Sequence, residues 1–522
     1  MLQKRRWFGA LSAAALALSL LAALALSLPV SAQDGFDPIP TPTLYPVENT
    51  PYTLETVGGE DMTLTFQYAD QDGFTLGETT VTSRYPRGMI FTINPQSENG
   101  AISDVTLSWR YVHDSGDHRK AEYDAERDLW TVHIWESGAG RPAWTHLRFH
   151  WRVRDETGAY VDTEEYELDY WDPARKWFRM ESEDVILYWF GFGEDIPDEI
   201  AQNTADRMAA ATQRQIAGFG RRLSYKPIAV VYPDKATFGE IQGSGIANPR
   251  VAGYTSSDLG ISVQVLREVP TEPSKCIWAA PPDYWTMERR IATIYATTPH
   301  EVTHLYQYDV IGYAPGVEWV SEGQAEFFAN NFRNGEERLR HLATLQDIPS
   351  LLTPIGSDLP QADGCSALSY VVGASFWNFL NMRYGGMETI HQIIAYQRQQ
   401  KSIYEAVEAI SGKPFLEVEN EWRTHYGFRP LTLADIDPAA ALEPYDDPMV
   451  AEGDTVTLPA TPPLSPLAEK PGPRSLASGQ CFAGTQVTVL HIGALEGVPY
   501  YQVDCMGMVG WVTRDQLLGP EN

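Results

Sequence analysis

Residues 300–304 read His-Glu-Val-Thr-His. On a helix, positions i and i+4 share a face, so the imidazoles of His300 and His304 can point at one ion. Glu301 sits one step round that helix. There it can take a proton from a water that a zinc ion has made acidic, without ligating the ion itself. This is the chemistry of attack on a polarised carbonyl. A catalytic zinc site needs a third protein ligand. Downstream, Glu318, Glu322 and Glu326 recur at i, i+4 and i+8, on one stripe of a helix. Trp319, Ala325 and Phe328 place apolar groups close by, which argues for partial burial, and buried carboxylates need a cation. Two blander readings stay open on the same residues. Thr298-Pro299-His300-Glu301 matches a capping box with proline just inside, in which Glu301 would cap a helix. The glutamate stripe also fits a solvated acidic face.

The elements that must position these residues follow from periodicity. Apolar residues recur at helical spacing in 286–310, 317–345, 368–383 and 387–410, and 198–218 also reads as a helix. Strands are expected at 185–190, 228–232 and 261–265. Strands followed by helices give an α+β domain over 175–430. From 53 to 172 apolar and polar residues alternate, as in Leu64, Phe66 and Tyr68 or Leu147, Phe149, Trp151 and Val153, which predicts an antiparallel β-sandwich. His133, His146 and His150 fall in its strands and read as structural. Residues 33–52 form a Pro/Thr-rich leader, 436–452 a linker, and 453–520 a last set of short strands.

His300-Glu301-x-x-His304 followed by Trp319-x-x-Glu322-Gly323-x-Ala325 resembles the gluzincin metallopeptidases, in their aminopeptidase-N-like and peptidase-MA-like branch. The resemblance implies zinc as cofactor, Glu322 as third ligand, and Glu326 as the carboxylate that orients a ligand histidine. Tyr370-x-x-Gly373-x-Ser375-Phe376-Trp377 resembles the helix that follows the metal site, which makes Tyr370 the candidate to steady an oxyanion. Gly412 to Tyr426 resembles the closing helix. Two departures matter. The interval from His304 to Glu322 is one residue shorter than aminopeptidases usually carry. Their Gly-x-Met-Glu-Asn element is also absent ahead of the zinc motif, since Gly385-Gly386-Met387-Glu388-Thr389 comes after it. Gly253 and Tyr254 stand instead where the family has an edge strand that binds an extended substrate backbone. A peptide or protein substrate is therefore expected, and endopeptidase rather than aminopeptidase activity. Gln486 to Leu490, Tyr500 to Val503 and Gly510-Trp511-Val512 resemble bacterial SH3-like domains, small barrels that would take a cell-envelope component as partner. The architecture expected is thus multidomain: β-sandwich, gluzincin-like α+β domain, SH3-like barrel. Two alternatives from other classes stay open: an envelope-binding protein whose peptidase domain is silent, although an intact Glu301 argues against silence, and a zinc amidase acting on a non-peptide or cell-wall substrate.

Bulk properties bound the setting. The 522-residue chain carries a formal net charge of −30. Such a surface repels phosphate backbones, so nucleic acid is not an expected partner. Lys4, Arg5 and Arg6 precede an uncharged Ala/Leu-rich run from Trp7 to Leu28, and Pro29-Val30-Ser31-Ala32 offers a cleavage site. Residues 1–32 therefore read as a signal peptide and the protein as exported, with an uncleaved membrane anchor as the alternative. Four cysteines in an exported chain suggest two disulfides. Sequence neighbourhood favours Cys276–Cys365 and Cys481–Cys505 among three pairings.

Overall fold

The computed structural model describes residues 47–113, 115–135, 141–241, 253–269, 282–312, 317–331, 335–345, 347–352, 368–460, 464–472, 477–495 and 497–519. The signal segment, most of the leader, and Cys276 and Cys365 with their expected bridge lie outside the described residues. The chain is multidomain and mixed α+β, and its contacts divide it into two units: residues 1–339 with 356–413, and residues 340–355 with 414–522. Among the described residues no helix is long and apolar enough to cross a membrane.

In the first unit, two antiparallel sheets use the alternation read from the sequence. One orders the strands Thr63–Gln67, Glu78–Ser83, Met89–Ile93, Leu129–Ile134 and Glu122–Asp124. The other orders Tyr160–Asp162, His146–Asp155, Ile102–Arg110 and Gly116–Lys120, with Tyr166–Asp169 also paired to His146–Asp155. Their inner faces meet where the Phe149 ring lies 5.1 Å from Phe91 and 5.2 Å from Phe66. The Trp151 indole donates across the gap to Thr79 Oγ1 at 2.8 Å, which satisfies the one polar atom of a buried ring.

Beside this pair lies a six-stranded sheet. Its strands are β1 (Tyr52–Gly58), β2 (Lys176–Ser182), β3 (Ile186–Trp189), β4 (Ile228–Tyr232), β5 (Gly253–Ser256) and β6 (Ile261–Val265), in the order β1-β2-β3-β4-β6-β5. The fully buried strands β4 and β6 run parallel, and β5 returns antiparallel along β6 as an edge. β1 pairs along β2 from Tyr52 with Ser182 to Gly58 with Lys176. Residues 53–58 thus serve this sheet and not the sandwich. Their alternation has the same period as the sandwich strands, so the pattern alone does not say which sheet they join.

Four helices build the rest of the site: α1 (Pro197–Phe219), α2 (Met287–Tyr306), α3 (Glu318–Ala329) and α4 (Leu368–Arg383). α2 starts after Thr286, whose hydroxyl accepts from the Arg289 amide. Pro299 therefore lies inside the helix, and the capping-box reading of Thr298 to Glu301 is corrected: Glu301 is more than three turns from the helix start. Proline cannot donate there. Gln215 of α1 reaches the Pro299 carbonyl at 3.3 Å and Thr303 Oγ1 at 2.9 Å, and Asn331 Nδ2 donates to the Ala296 carbonyl at 3.1 Å. After Tyr306 the backbone widens into a π-helix, Gln307–Ile311.

The second unit joins the helix Phe415–Tyr426 to a seven-stranded sheet. Buried Arg423 donates to the Ile348 carbonyl and pairs with Asp347, while Glu419 accepts from the Ser350 hydroxyl and the Leu351 amide. That helix therefore groups with residues 340–355 and the C-terminal strands. The sheet runs Glu443–Pro444, Gln486–Leu495, Val498–Cys505, Met508–Thr513, Leu464–Ala468, Ala477–Phe482, with Thr455–Thr457 also on Gln486–Leu495. Among the described residues its pairings do not close into the expected barrel. Cys481 and Cys505 form a disulfide within it.

Candidate metal centre

Helix α2 presents His300 and His304 on one face, one turn apart, and α3 crosses it with Glu322. His300 Nε2 lies 3.1 Å from Glu322 Oε2, His304 Nε2 lies 3.4 Å from the same oxygen, and the two Nε2 atoms are 3.3 Å apart. The three donor atoms form a near-equilateral triangle. This group could hold a metal ion, and it is the one such group among the described residues.

The other nitrogen of each imidazole is also placed. His304 Nδ1 lies 2.9 Å from Gln307 Oε1. An amide oxygen only accepts, so Nδ1 carries the proton and Nε2 offers its lone pair to the triangle. Gln307 is fully buried, and its Nε2 donates to the Ser321 carbonyl and to Gln324 Oε1, both at 2.9 Å. One amide thus fixes a ring and ties α2 to α3. His300 Nδ1 sits 3.1 Å from Glu326 Oε1, an ion-pair distance whose alignment falls short of a hydrogen bond. Burial alone would push His300 down. The carboxylates of Glu322 and Glu326, with the charge of Glu301, outweigh it and raise the imidazole well above its usual range. His304 is raised in the same way, chiefly by Glu322 against burial. Glu322 is half-buried, which would raise its carboxyl, yet the two imidazoles hold it far below the usual range. Three carboxylates around two imidazoles favour positive charge, as protons or as a metal ion.

Glu301 points to the other side, toward β5. Thr255 Oγ1 lies 2.7 Å from Glu301 Oε2 and 3.0 Å from the Glu301 carbonyl oxygen. A Cβ added to Gly253 would stand 3.1 Å from Glu301 Oε1 and 2.8 Å from the Val263 carbonyl oxygen, so glycine leaves the room this carboxylate occupies. Residues 253 and 255 share a face of the strand and Tyr254 takes the opposite one. Tyr254 packs 6.0 Å from Phe238, where burial pushes its hydroxyl up to about 12. Of the two substrate-binding residues expected from the sequence, Gly253 therefore borders Glu301 and the Tyr254 side chain faces the core.

Tyr370 reaches the triangle from α4. Its ring stacks on His300 with centroids 5.8 Å apart and planes 15° apart. Burial first, then the charge and hydrogen bond of Glu322, push its hydroxyl far above the usual range, so it stays a neutral donor. Gly385 and Gly386 precede the helix Met387–Gln397 with positive φ, a turn role remote from the triangle.

No protein-family model and no curated protein matches the chain. Solved structures do. The chain is similar to Legionella pneumophila aminopeptidase A in complex with aspartic acid, at 9% identity and a TM-score of 0.28, over 70% of this chain and 51% of that one. It is similar to a polysaccharide deacetylase from Bacillus cereus at 10% identity and a TM-score of 0.17, over 37% of this chain and 60% of that one. A carbohydrate-binding module of family 56 aligns at 8% identity and a TM-score of 0.14, over 19% of this chain and 99% of the module. At these scores the neighbours carry no argument about the site.

Sequence reasoning reached His300, His304, Glu322, Glu326, Glu301 and Tyr370; five of these side chains meet at the triangle, and Glu301, on the same turn of α2, faces β5 beside it. It missed Gln307 and Thr255. Gln307 had a signal, since it lies at i+3 from His304 on the same face. Thr255 had a weaker one, its strand alternation with Gly253.

Proposed function

We propose that this chain is a gluzincin-type zinc hydrolase that cleaves peptide bonds outside the cytoplasm, as an endopeptidase. The observation that carries the reading is the triangle of donor atoms with edges of 3.1, 3.3 and 3.4 Å. A tetrahedral zinc with bonds of about 2.0–2.1 Å holds its ligand atoms roughly 3.3 Å apart, and two imidazoles with one carboxylate leave a fourth position open. Hard cations such as calcium take six or more oxygen ligands at longer range, which this nitrogen-rich set does not offer. When bound, zinc acidifies water and polarises a carbonyl.

The chain's own residues supply the rest. Glu301 takes the proton from the attacking water and delivers it to the leaving amine. Tyr370, neutral and stacked on His300, donates toward an oxygen on which charge develops. Among the described residues β5 pairs on one side only, with β6, and an edge of that kind suits an extended peptide backbone. Export agrees with the Cys481–Cys505 disulfide.

The test is metal content together with peptide hydrolysis. The wild type should hold about one zinc per chain and cleave an unstructured protein substrate internally. Glu301→Gln should keep its zinc and its fold and lose turnover by roughly 10²- to 10⁴-fold, the usual contribution of a general base. Comparable turnover in a well-folded Glu301→Gln protein would remove Glu301 from the reaction.

A further inference from the structure

We infer that Thr255, on the edge strand β5, is the positioning residue for the Glu301 carboxylate. The inference rests on the proposed hydrolase reading for its kinetic consequence and on geometry for its structural one.

Glu301 is buried against β5 and needs partners for two oxygens. Around it the strand is built in two parts. Gly253 leaves open the space beside Oε1, where a Cβ would stand 3.1 Å away. Thr255 places its hydroxyl 2.7 Å from Oε2 and 3.0 Å from the Glu301 carbonyl oxygen. Both oxygens only accept, so the hydroxyl proton is directed at Glu301 whichever of them takes it. The carboxylate is thus held on the β5 side of α2, and Oε1 is left as the lone-pair oxygen without a side-chain donor among the hydrogen bonds described. Threonine suits the task better than a longer donor. Its branched Cβ restricts χ1 and fixes the hydroxyl direction, as β-branched residues do in a strand. β5 itself is held in register by β6, with Thr255 opposite Ser262 and Gly253 opposite Gln264. Gln264 in turn donates to Thr298 Oγ1 of α2 at 3.0 Å. The distance from strand to helix is therefore pinned next to the contact that matters. A general base has to lie within hydrogen-bond reach of the proton it takes, and a misplacement of about 1 Å can cost a factor of roughly 10².

Thr255→Val keeps the shape and removes the donor, and Thr255→Ser restores it. The expected result for Thr255→Val is one zinc per chain as in the wild type, kcat down by about ten- to a hundredfold, and KM within twofold. Thr255→Ser should recover kcat to within about threefold of wild type. In metal-free crystals of Thr255→Val the Glu301 carboxylate should leave the position beside Gly253, and in Thr255→Ser it should return. A Glu301 that stays in place in the Thr255→Val crystals overturns the assignment, as does a kcat within twofold of wild type. A wild type without peptide hydrolysis would refute the hydrolase reading instead, and the crystals would still decide the role of Thr255.

Discussion

Glu322 touches both imidazoles through one oxygen, Glu326 approaches His300 on its far side, and Glu318, a turn earlier on α3, makes neither contact. A zinc titration should therefore grade them. Glu322→Ala is expected to abolish binding or nearly so. Glu326→Ala should weaken it by roughly ten- to a hundredfold, the usual cost of losing a group that orients a ligand. Glu318→Ala should stay within about twofold. Gln307→Leu belongs with Glu326→Ala, because it strips the acceptor from His304 Nδ1 and frees the ring to turn. Competition against a chelator of known affinity measures all four, and equal small effects across the series would return α3 to a solvated acidic face. At this scale the sequence was informative where a residue type is rare and its spacing constrained. Two histidines at i and i+4 and a glutamate before glycine stand out. An amide at 307 or a hydroxyl at 255 does not, because glutamine and threonine are common and only the crossing of α2 with its neighbours gives them a partner.

The placement of whole elements depends on a contact between two glycines. A Cβ added to Gly373 of α4 would lie 2.0 Å from the Trp319 carbonyl oxygen, and one added to Gly323 of α3 would lie 2.4 Å from the Gly373 backbone. The two helices touch backbone to backbone, and the Trp377 indole donates to the Val320 carbonyl at 3.1 Å on the same seam. This crossing brings Tyr370 over His300 while holding Glu322 against the triangle. Gly373→Ala should separate the helices, costing about 1–3 kcal/mol or more for overpacking. Zinc affinity should fall with it, although alanine at 373 touches no ligand. Thermal unfolding and zinc titration on the same protein check this; a lower Tm with unchanged zinc affinity would mean the crossing supports the fold without setting the site. The glycine of Glu322-Gly323 is thus explained by packing, which no single helix pattern reveals. Helices α1 to α4 were legible from periodicity, and so were the strands of the sandwich. The start of α2 was ambiguous because Thr298-Pro299 has the chemistry of a helix start while standing inside a helix whose neighbours, Gln215 and Asn331, serve the backbone around the proline.

Across the whole molecule, every residue of the proposed centre lies in the unit formed by residues 1–339 and 356–413, while the disulfide lies in the other. The boundaries expected from composition, a domain ending at 430 and a linker at 436–452, follow the chain; the contacts do not. Helix Phe415–Tyr426 groups with residues 340–355 through Arg423 and Glu419, and Glu443–Pro444 of the expected linker is an edge strand, a place that tolerates proline. Long-range contacts of this kind carry no local sequence signature. They do carry a consequence for stability. Cys481 and Cys505 are separated by 24 residues, and closing a loop of that size restricts the unfolded chain by about 3 kcal/mol. The double variant Cys481→Ser/Cys505→Ser should therefore lower the unfolding temperature of the C-terminal unit, read by calorimetry and by the first sites of proteolysis. Zinc affinity should remain within about twofold of wild type, because His300, His304, Glu322, Glu326 and Gln307 all belong to the other unit. Loss of zinc in the same variant would mean that the metal centre depends on the C-terminal unit for its integrity, and the division into two units would then fail as a description of how the protein holds its site.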